Sequence, residues 1–114
     1  MKRLIAFCFI AMCLQACKPE LPEIPADVMP MEQMKVILAD IHMADALAET
    51  KAQGGANERD LSQQYLVQIL KNRKVTMEEF KRSYDFYQNT PVLNDMLYES
   101  VLTELSTRNA HVSK

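Results

Sequence analysis

The chain contains 114 residues, 48% of them hydrophobic and 25% charged, with 15 acidic residues against 13 Lys and Arg. This length provides for one domain, and the slight acidic excess argues against nucleic-acid binding, which usually requires a basic face. With two glycines, no tryptophan and eight methionines, the composition favours helices over strands.

The N-terminal residues combine a basic start, a short apolar run and a cysteine. Lys2 and Arg3 precede an apolar run over residues 4–14, which is the arrangement of a secretory signal peptide. The run has eleven residues, whereas a helix that spans a bilayer needs about 20. It ends in Leu14-Gln15-Ala16-Cys17, which resembles the lipobox of bacterial lipoproteins, where signal peptidase cleaves before a lipidated cysteine.

This resemblance predicts how the chain is processed. It implies a signal peptide over residues 1–16, with Leu14, Gln15 and Ala16 as the cleavage recognition residues. Cys17 becomes the first residue of the mature protein and carries a covalent diacylglycerol and an acyl chain. We therefore expect a lipoprotein of the cell envelope.

The cysteines and charges of the mature protein follow from that cleavage. Cys8 and Cys13 leave with the signal peptide, so the domain keeps no free thiol or disulfide and CxxC chemistry is excluded. Lys2 and Arg3 leave as well, and 11 basic residues then face 15 acidic ones in a mature chain of 98 residues. Lys18 stands where enteric-type bacteria place the aspartate that retains lipoproteins in the inner membrane. By that analogy we expect the outer membrane.

Residues 17–30 predict a spacer between the lipid and the domain. The segment interleaves acidic residues with four prolines, Pro19, Pro22, Pro25 and Pro30. Proline at about every third residue prevents helix and favours an extended polyproline conformation. At about 3.1 Å per residue, a dozen such residues hold the domain roughly 35 Å from the membrane.

Beyond the spacer, apolar residues recur at the i, i+3, i+4 and i+7 spacing of amphipathic helices. The pattern predicts helices at residues 31–51, 59–72, 77–88 and 91–107. Thr76 and Glu79 form a capping box before the third helix, and Pro91 suits the first position of the fourth. No window alternates with the period of a strand. We therefore predict an all-α fold class: a small four-helix domain over residues 31–108, as a bundle or two packed helical hairpins, with a loose tail at 109–114.

The aromatic side chains of the predicted helices admit two interpretations. A ligand groove is able to form from five aromatic residues, Phe80, Tyr84, Phe86, Tyr87 and Tyr98, but at helical spacing core packing is the ordinary role of such residues. We therefore expect Tyr84 in the core, together with Met96 and Leu102 of the fourth helix.

Three segments of the mature chain, followed by Pro91, resemble a known family in their order and spacing. They are Met34 to Asp45 (MKVILADIHMAD), Val75 to Phe80 (VTMEEF) and Ser83 to Tyr87 (SYDFY). The family comprises short, uncharacterised lipoproteins of Bacteroidota-type bacteria that share a domain of unknown function. The resemblance covers nearly the whole mature chain. It implies an exported, lipid-anchored helical domain and implies no activity.

One face of the first predicted helix carries the residues best placed for metal binding. His42, Asp45 and Glu49 follow the spacing i, i+3, i+7 and share a strip of that face. An imidazole and two carboxylates are able to bind Zn²⁺ or a similar divalent ion, which makes a small metal-dependent enzyme or metal binder the alternative function. A solvated helix edge accounts for the same residues, because one helix supplies every ligand and no second histidine is placed to help.

Two carboxylates interrupt the apolar arcs of the same helix. Asp40 and Asp45 project among apolar residues, and a buried carboxylate is costly unless it is paired. The candidate partners are four tyrosine hydroxyls and three basic side chains: Tyr65, Tyr84, Tyr87, Tyr98, Arg73, Lys74 and Arg82. We expect a structural polar network of Asp40, Asp45 and Tyr84 that fixes the register of the helices. The alternative is general acid–base chemistry.

The sequence carries no Gly-rich phosphate loop, nucleophile elbow or paired-histidine metal motif. We accordingly predict no catalytic residue, no cofactor other than the lipid on Cys17, and no nucleic-acid partner. The interpretation is a non-catalytic lipoprotein that binds a protein partner or serves as an accessory of the envelope, with the membrane reached through its lipid anchor.

Overall fold

The computed structural model describes Met1 and residues 20–113. The predicted lipobox, Leu14 to Cys17, and the apolar run before it lie outside the described residues. Among the helices of the described part, none combines the length and the apolar character needed to cross a membrane.

Four helices and no strand make up the regular structure of residues 20–113. They are α1 Met31–Ala52, α2 Glu58–Asn72, α3 Met77–Gln88 and α4 Pro91–Val112. The prediction of a small all-α, four-helix domain is confirmed. The turn and cap residues that bound the first three helices are local sequence signals, and the predicted limits of these helices lie close to the observed ones.

Helix α4 is longer than the sequence predicted and continues to Val112. Its last turns hold an ion pair of 2.9 Å between Arg108 Nε and Glu104 Oε1. Arg108 also reaches Asp40 of α1, with 2.7 Å from Nη1 to Oδ1. The predicted loose tail at 109–114 is therefore helical as far as Val112, because the contacts of Arg108 extend the ordered part of α4.

The turn after α2 is a Schellman motif with a lysine at its left-handed position. The amide of Val75 donates to the carbonyl oxygen of Leu70 at 3.0 Å, and the amide of Lys74 donates to the carbonyl oxygen of Lys71 at 3.1 Å. Lys74 has a φ of 57°, a conformation that costs a residue other than glycine about 1–2 kcal/mol. Val75 and Leu70 are both buried in the core, and this burial holds the turn in place.

The predicted capping box starts α3. The amide of Glu79 donates to Thr76 Oγ1 at 3.1 Å, and the amide of Thr76 donates to Glu79 Oε2 at 2.8 Å. The hydrogen bond from the Thr76 amide, with a second from its hydroxyl, lowers the pKa of Glu79 from its ordinary value. Each residue thus satisfies a backbone donor that the start of a helix leaves without a partner.

Helix α1 packs against both α2 and α4. Lys51, near the end of α1, donates to the hydroxyl of Tyr65 at 2.8 Å, whereas Asp40 in the middle of α1 meets Arg73 just beyond the end of α2. These two helices are therefore antiparallel, as their short connection predicts. Asp40 also meets Arg108 near the end of α4.

The core fills the space among the helices with residues from all four. Its buried members are Val28, Met29, Met34, Ile37, Leu70, Val75, Phe80, Tyr87, Leu93, Leu97 and Val101. Three residues that the sequence assigned to the core are exposed instead: Tyr84 by 39%, Met96 by 37% and Leu102 by 50%. An apolar stripe wider than the neighbouring helices cover leaves its edge in solvent.

The segment before α1 belongs to the domain. Val28 and Met29 are buried, and Ile24 packs against the same core. The amide of Met29 donates to Ser83 Oγ at 2.9 Å, and its carbonyl oxygen accepts from the Tyr87 hydroxyl at 2.8 Å. The predicted spacer over residues 17–30 is therefore too long at its C-terminal end, because apolar side chains between the prolines pack into the domain.

Candidate functional site

A groove of about 430 Å³ opens among the four helices. Its floor consists of aliphatic side chains from the inner faces of α1, α2 and α4: Leu38, Ile41, Leu66, Leu97 and Val101. Pockets that bind organic ligands or partner side chains have a similar volume, about 300–1,000 Å³, and a mainly apolar lining. The groove is therefore the candidate functional site.

Aromatic rings form one edge of the groove. Phe80 and Tyr84 are stacked one turn apart on α3, with ring centroids separated by 5.9 Å. Tyr98 of α4 also lines the groove and has 59% of its surface exposed. Tyrosine combines a large apolar ring with a polar tip, which suits it to contact surfaces that are covered when a partner binds.

Polar side chains lie at the rim of the groove. His42 and Asp45 are exposed one turn apart on α1. Gln88 and Asn94 line the same groove, and Gln88 Nε2 donates to Asn94 Oδ1 at 3.1 Å. Among the described residues, Asp45 is the one carboxylate in the lining, no Lys or Arg lines the groove, and no hydrogen bond or ion pair engages the Asp45 carboxylate.

The residues of the predicted metal site do not come together. Within residues 20–113, no group of three His, Cys, Asp or Glu side chains is arranged to hold a metal ion. His42, Asp45 and Glu49 are all exposed on α1. A helix rises 1.5 Å per residue, which separates the first and last of them by about 10 Å along its axis. Of the three, His42 and Asp45 line the groove and Glu49 does not.

Asp40 is the centre of an ion-pair network that joins three parts of the fold. Its Oδ2 accepts from Arg73 Nη2 at 2.7 Å and from Arg73 Nε at 3.0 Å. Its Oδ1 accepts from Arg108 Nη1 at 2.7 Å, and Arg108 Nε donates to Glu104 at 2.9 Å. The hydrogen bond to Asp40 is the main cause that raises the pKa of Arg108. The network ties α1 to the end of α2 and to α4.

The polar network expected from the sequence is thus divided into two places. Asp40 pairs with Arg73, which was among its candidate partners, and with Arg108, which was not. Asp45 and Tyr84 line the groove instead, and no hydrogen bond links either of them to Asp40 in the described part. The sequence carried one signal of the contact with Arg108. Glu104 and Arg108 are one helical turn apart, a spacing that indicates a fourth helix long enough to include Arg108.

The family model described as Domain of unknown function (DUF4296) matches residues 25–111. The chain belongs to this family. The match confirms that the chain belongs to an uncharacterised family, as the sequence predicted. No curated protein and no solved structure matches the chain. The matched range of the DUF4296 domain starts in the docked segment before α1 and ends in the last turn of α4, so it contains the groove and the Asp40 network.

The groove of this DUF4296 domain offers three kinds of contact. Its floor provides aliphatic surface, its aromatic edge provides Tyr84 and Tyr98, and its rim provides the carboxylate of Asp45. In the described part, every buried side-chain nitrogen and oxygen atom has a hydrogen-bond partner. The interior polar groups are therefore satisfied within the domain.

Proposed function

We propose that this DUF4296 protein is an exported, lipid-anchored interaction domain of the cell envelope, without catalytic activity, that binds a protein partner in the groove. The observation that carries the proposal is the apolar floor of the groove with Tyr84 and Tyr98 exposed at its edge. Aromatic residues around an apolar centre are typical of protein interfaces. A partner that covers the groove removes this surface from water, and that burial stabilises the complex.

The lipid anchor rests on the N-terminal sequence. Lys2 and Arg3, the apolar run and Cys17 follow the order of a lipoprotein signal, and the resemblance to Bacteroidota-type lipoproteins agrees with it. Because Ile24 packs against the core, we propose a spacer that ends before it, over residues 18–23. Six extended residues span about 20 Å. The groove is therefore proposed to work close to a membrane surface, with the outer membrane favoured.

Replacement of Cys17 tests the anchor. Cells that express the full chain are fed a labelled fatty acid, and the label on the protein and its membrane fraction are measured. The wild-type chain and the control Cys13→Ser are expected to carry label and to fractionate with the outer membrane. Cys17→Ser is expected to carry no label and to be found outside the outer membrane as an unprocessed or soluble form. Full labelling and membrane partition of Cys17→Ser contradict the anchor.

Replacement of Tyr98 tests the groove. Because Tyr98 is exposed, Tyr98→Ser removes aromatic surface without opening the core. The control is Tyr65→Ser, since Tyr65 lies outside the groove and contacts Lys51. After chemical cross-linking and purification from detergent-solubilised membranes, we expect a stoichiometric partner with the wild type and the control and a clear loss with Tyr98→Ser. Equal recovery with all three chains contradicts docking in the groove.

A further inference from the structure

Asp45 is the one carboxylate that the described residues place in the groove, and it limits which partners are able to cover the groove. Asp45 lies on the rim, and no Lys or Arg of the described residues lines the groove beside it. A partner that fills the groove takes Asp45 partly out of water. An ionised carboxylate that loses water without gaining a donor or a positive charge destabilises the complex. The lining also contains His42, Gln88 and Asn94, and no hydrogen bond of the described residues joins any of them to Asp45. An occupant that brings a donor or a positive charge to Asp45 is therefore favoured.

The aromatic edge favours a positive charge over a neutral donor. Tyr84 and Tyr98 are exposed and line the same groove, and the face of an aromatic ring attracts ammonium and guanidinium groups. Lys and Arg also have long apolar stems, which pack on aliphatic surface while the charged head reaches a polar rim. The floor of the groove provides such a surface next to Asp45.

Resting on the proposed function, we infer that the partner presents a Lys or Arg side chain next to an aliphatic or aromatic anchor. The cationic head pairs with Asp45, its stem packs along the aromatic edge at Tyr84 and Tyr98, and the neighbouring anchor fills the floor. An amphipathic helix of the partner supplies this arrangement, with apolar residues one turn apart and the basic residue beside them. Partners with Asp or Glu at that place are rejected by like-charge repulsion.

A library of helical peptides tests the inference on the full chain in detergent. Each peptide carries two Leu anchors one turn apart and random residues around them. Peptides that use the groove are recognised because Tyr98→Ser weakens their binding. We expect these peptides to be enriched in Lys or Arg over Asp or Glu at one place beside the anchors. Replacement of that Lys by Gln is expected to weaken binding about tenfold, and replacement by Glu to weaken it further.

The groove carboxylate is then removed with a matched control. On Asp45→Asn, the Lys and Gln forms of a selected peptide are expected to bind equally well. Asp85→Asn removes an exposed carboxylate next to Tyr84 that does not line the groove, and it is expected to keep the tenfold preference for Lys.

Three results overturn the inference and leave docking in the groove intact. They are groove-binding peptides without a basic residue, a preference for Lys that survives Asp45→Asn, and self-association of the chain that Tyr98→Ser abolishes. Failure to recover any peptide that depends on Tyr98 counts against the inference and against the groove as a docking site together. The Cys17→Ser experiment on the anchor is independent of all these outcomes.

Discussion

The hydroxyl of Tyr87 donates a hydrogen bond of 2.8 Å to the carbonyl oxygen of Met29, across 58 residues of sequence. Ser83, one turn earlier on α3, accepts from the amide of the same Met29 at 2.9 Å. Both backbone groups of one residue are thus held by α3, in a buried place. The domain therefore begins before α1, and two hydrogen bonds join its N-terminal segment to α3.

Tyr87→Phe is expected to lower the free energy of unfolding by about 1–3 kcal/mol, because it leaves the buried carbonyl of Met29 without a partner. Urea denaturation measures the loss, and amide hydrogen exchange of Val28 and Met29 is expected to rise. Tyr84→Phe is the control, since Tyr84 is exposed and its hydroxyl has no hydrogen bond to a described residue. Equal stability of the two variants would contradict a stabilising hydrogen bond between Tyr87 and Met29.

The same tyrosine predicts a loss of stability at high pH. Burial raises the pKa of Tyr87 above its ordinary value of 10.0. Its contribution is fully present below pH 10.0 and is lost as the pH rises through the raised pKa, because the unfolded chain ionises first. The stability gap between the wild type and Tyr87→Phe is therefore expected to narrow above pH 10.0. The measurement is denaturation of both chains at increasing pH. A difference in stability that stays constant argues against ionisation of Tyr87 as a cause of the loss.

Asp40→Asn is expected to destabilise the domain by about 1–2 kcal/mol, between the values for exposed and buried ion pairs, since the carboxylate is 20% exposed. The change leaves the guanidinium groups of Arg73 and Arg108 facing a neutral amide. Thermal denaturation of Asp40→Asn, Arg108→Gln and the double variant measures the coupling. Glu32→Gln is the control and is expected to lose clearly less stability, because the Glu32 side chain that pairs with Lys35 is 82% exposed. Additive effects of Asp40→Asn and Arg108→Gln would show that the pair is not coupled.

Lys74→Gly is expected to stabilise the domain by about 0.5–1 kcal/mol. Glycine removes the strain of the left-handed position at φ 57°, and the extra freedom of the unfolded chain offsets part of that gain. Urea denaturation is the measurement, and Lys71→Gly, inside α2, is expected to destabilise by about 1 kcal/mol. A loss of stability with Lys74→Gly would contradict the described turn.

Local signals predicted most of the helical framework. The capping box of Thr76 and Glu79 and the proline at the start of α4 act within one turn, so the sequence shows them directly. The docking of Met29 on α3, by contrast, depends on residues far away in the sequence. A proline every third residue predicts an extended backbone, and nothing near residue 29 indicates that its partners lie at Ser83 and Tyr87.

The sequence offered a ligand groove and core packing as two roles for the aromatic residues, and local reasoning could not decide between them. The period of an apolar stripe places Tyr84 and Phe80 on one face of α3, but only the positions of the other helices decide which of them is covered. Phe80 is buried and Tyr84 lies at the open edge. The pairing of Asp40 with Arg108 likewise depends on how α4 runs beside α1. The sequence indicated that Asp40 and Asp45 both need partners. It did not show that Asp40 is paired within the domain whereas Asp45 lines the groove.

Docking of a partner in the groove is tested by photo-cross-linking from Tyr98. A photoreactive phenylalanine analogue replaces Tyr98 in the full chain, and the same analogue at Tyr65 is the control outside the groove. Irradiation of cells that make each chain is followed by mass spectrometry of the cross-linked peptides. We expect one partner segment, with a Lys or Arg beside apolar residues, joined to position 98 and absent from position 65. No adduct at position 98, or the same adducts at both positions, would contradict it.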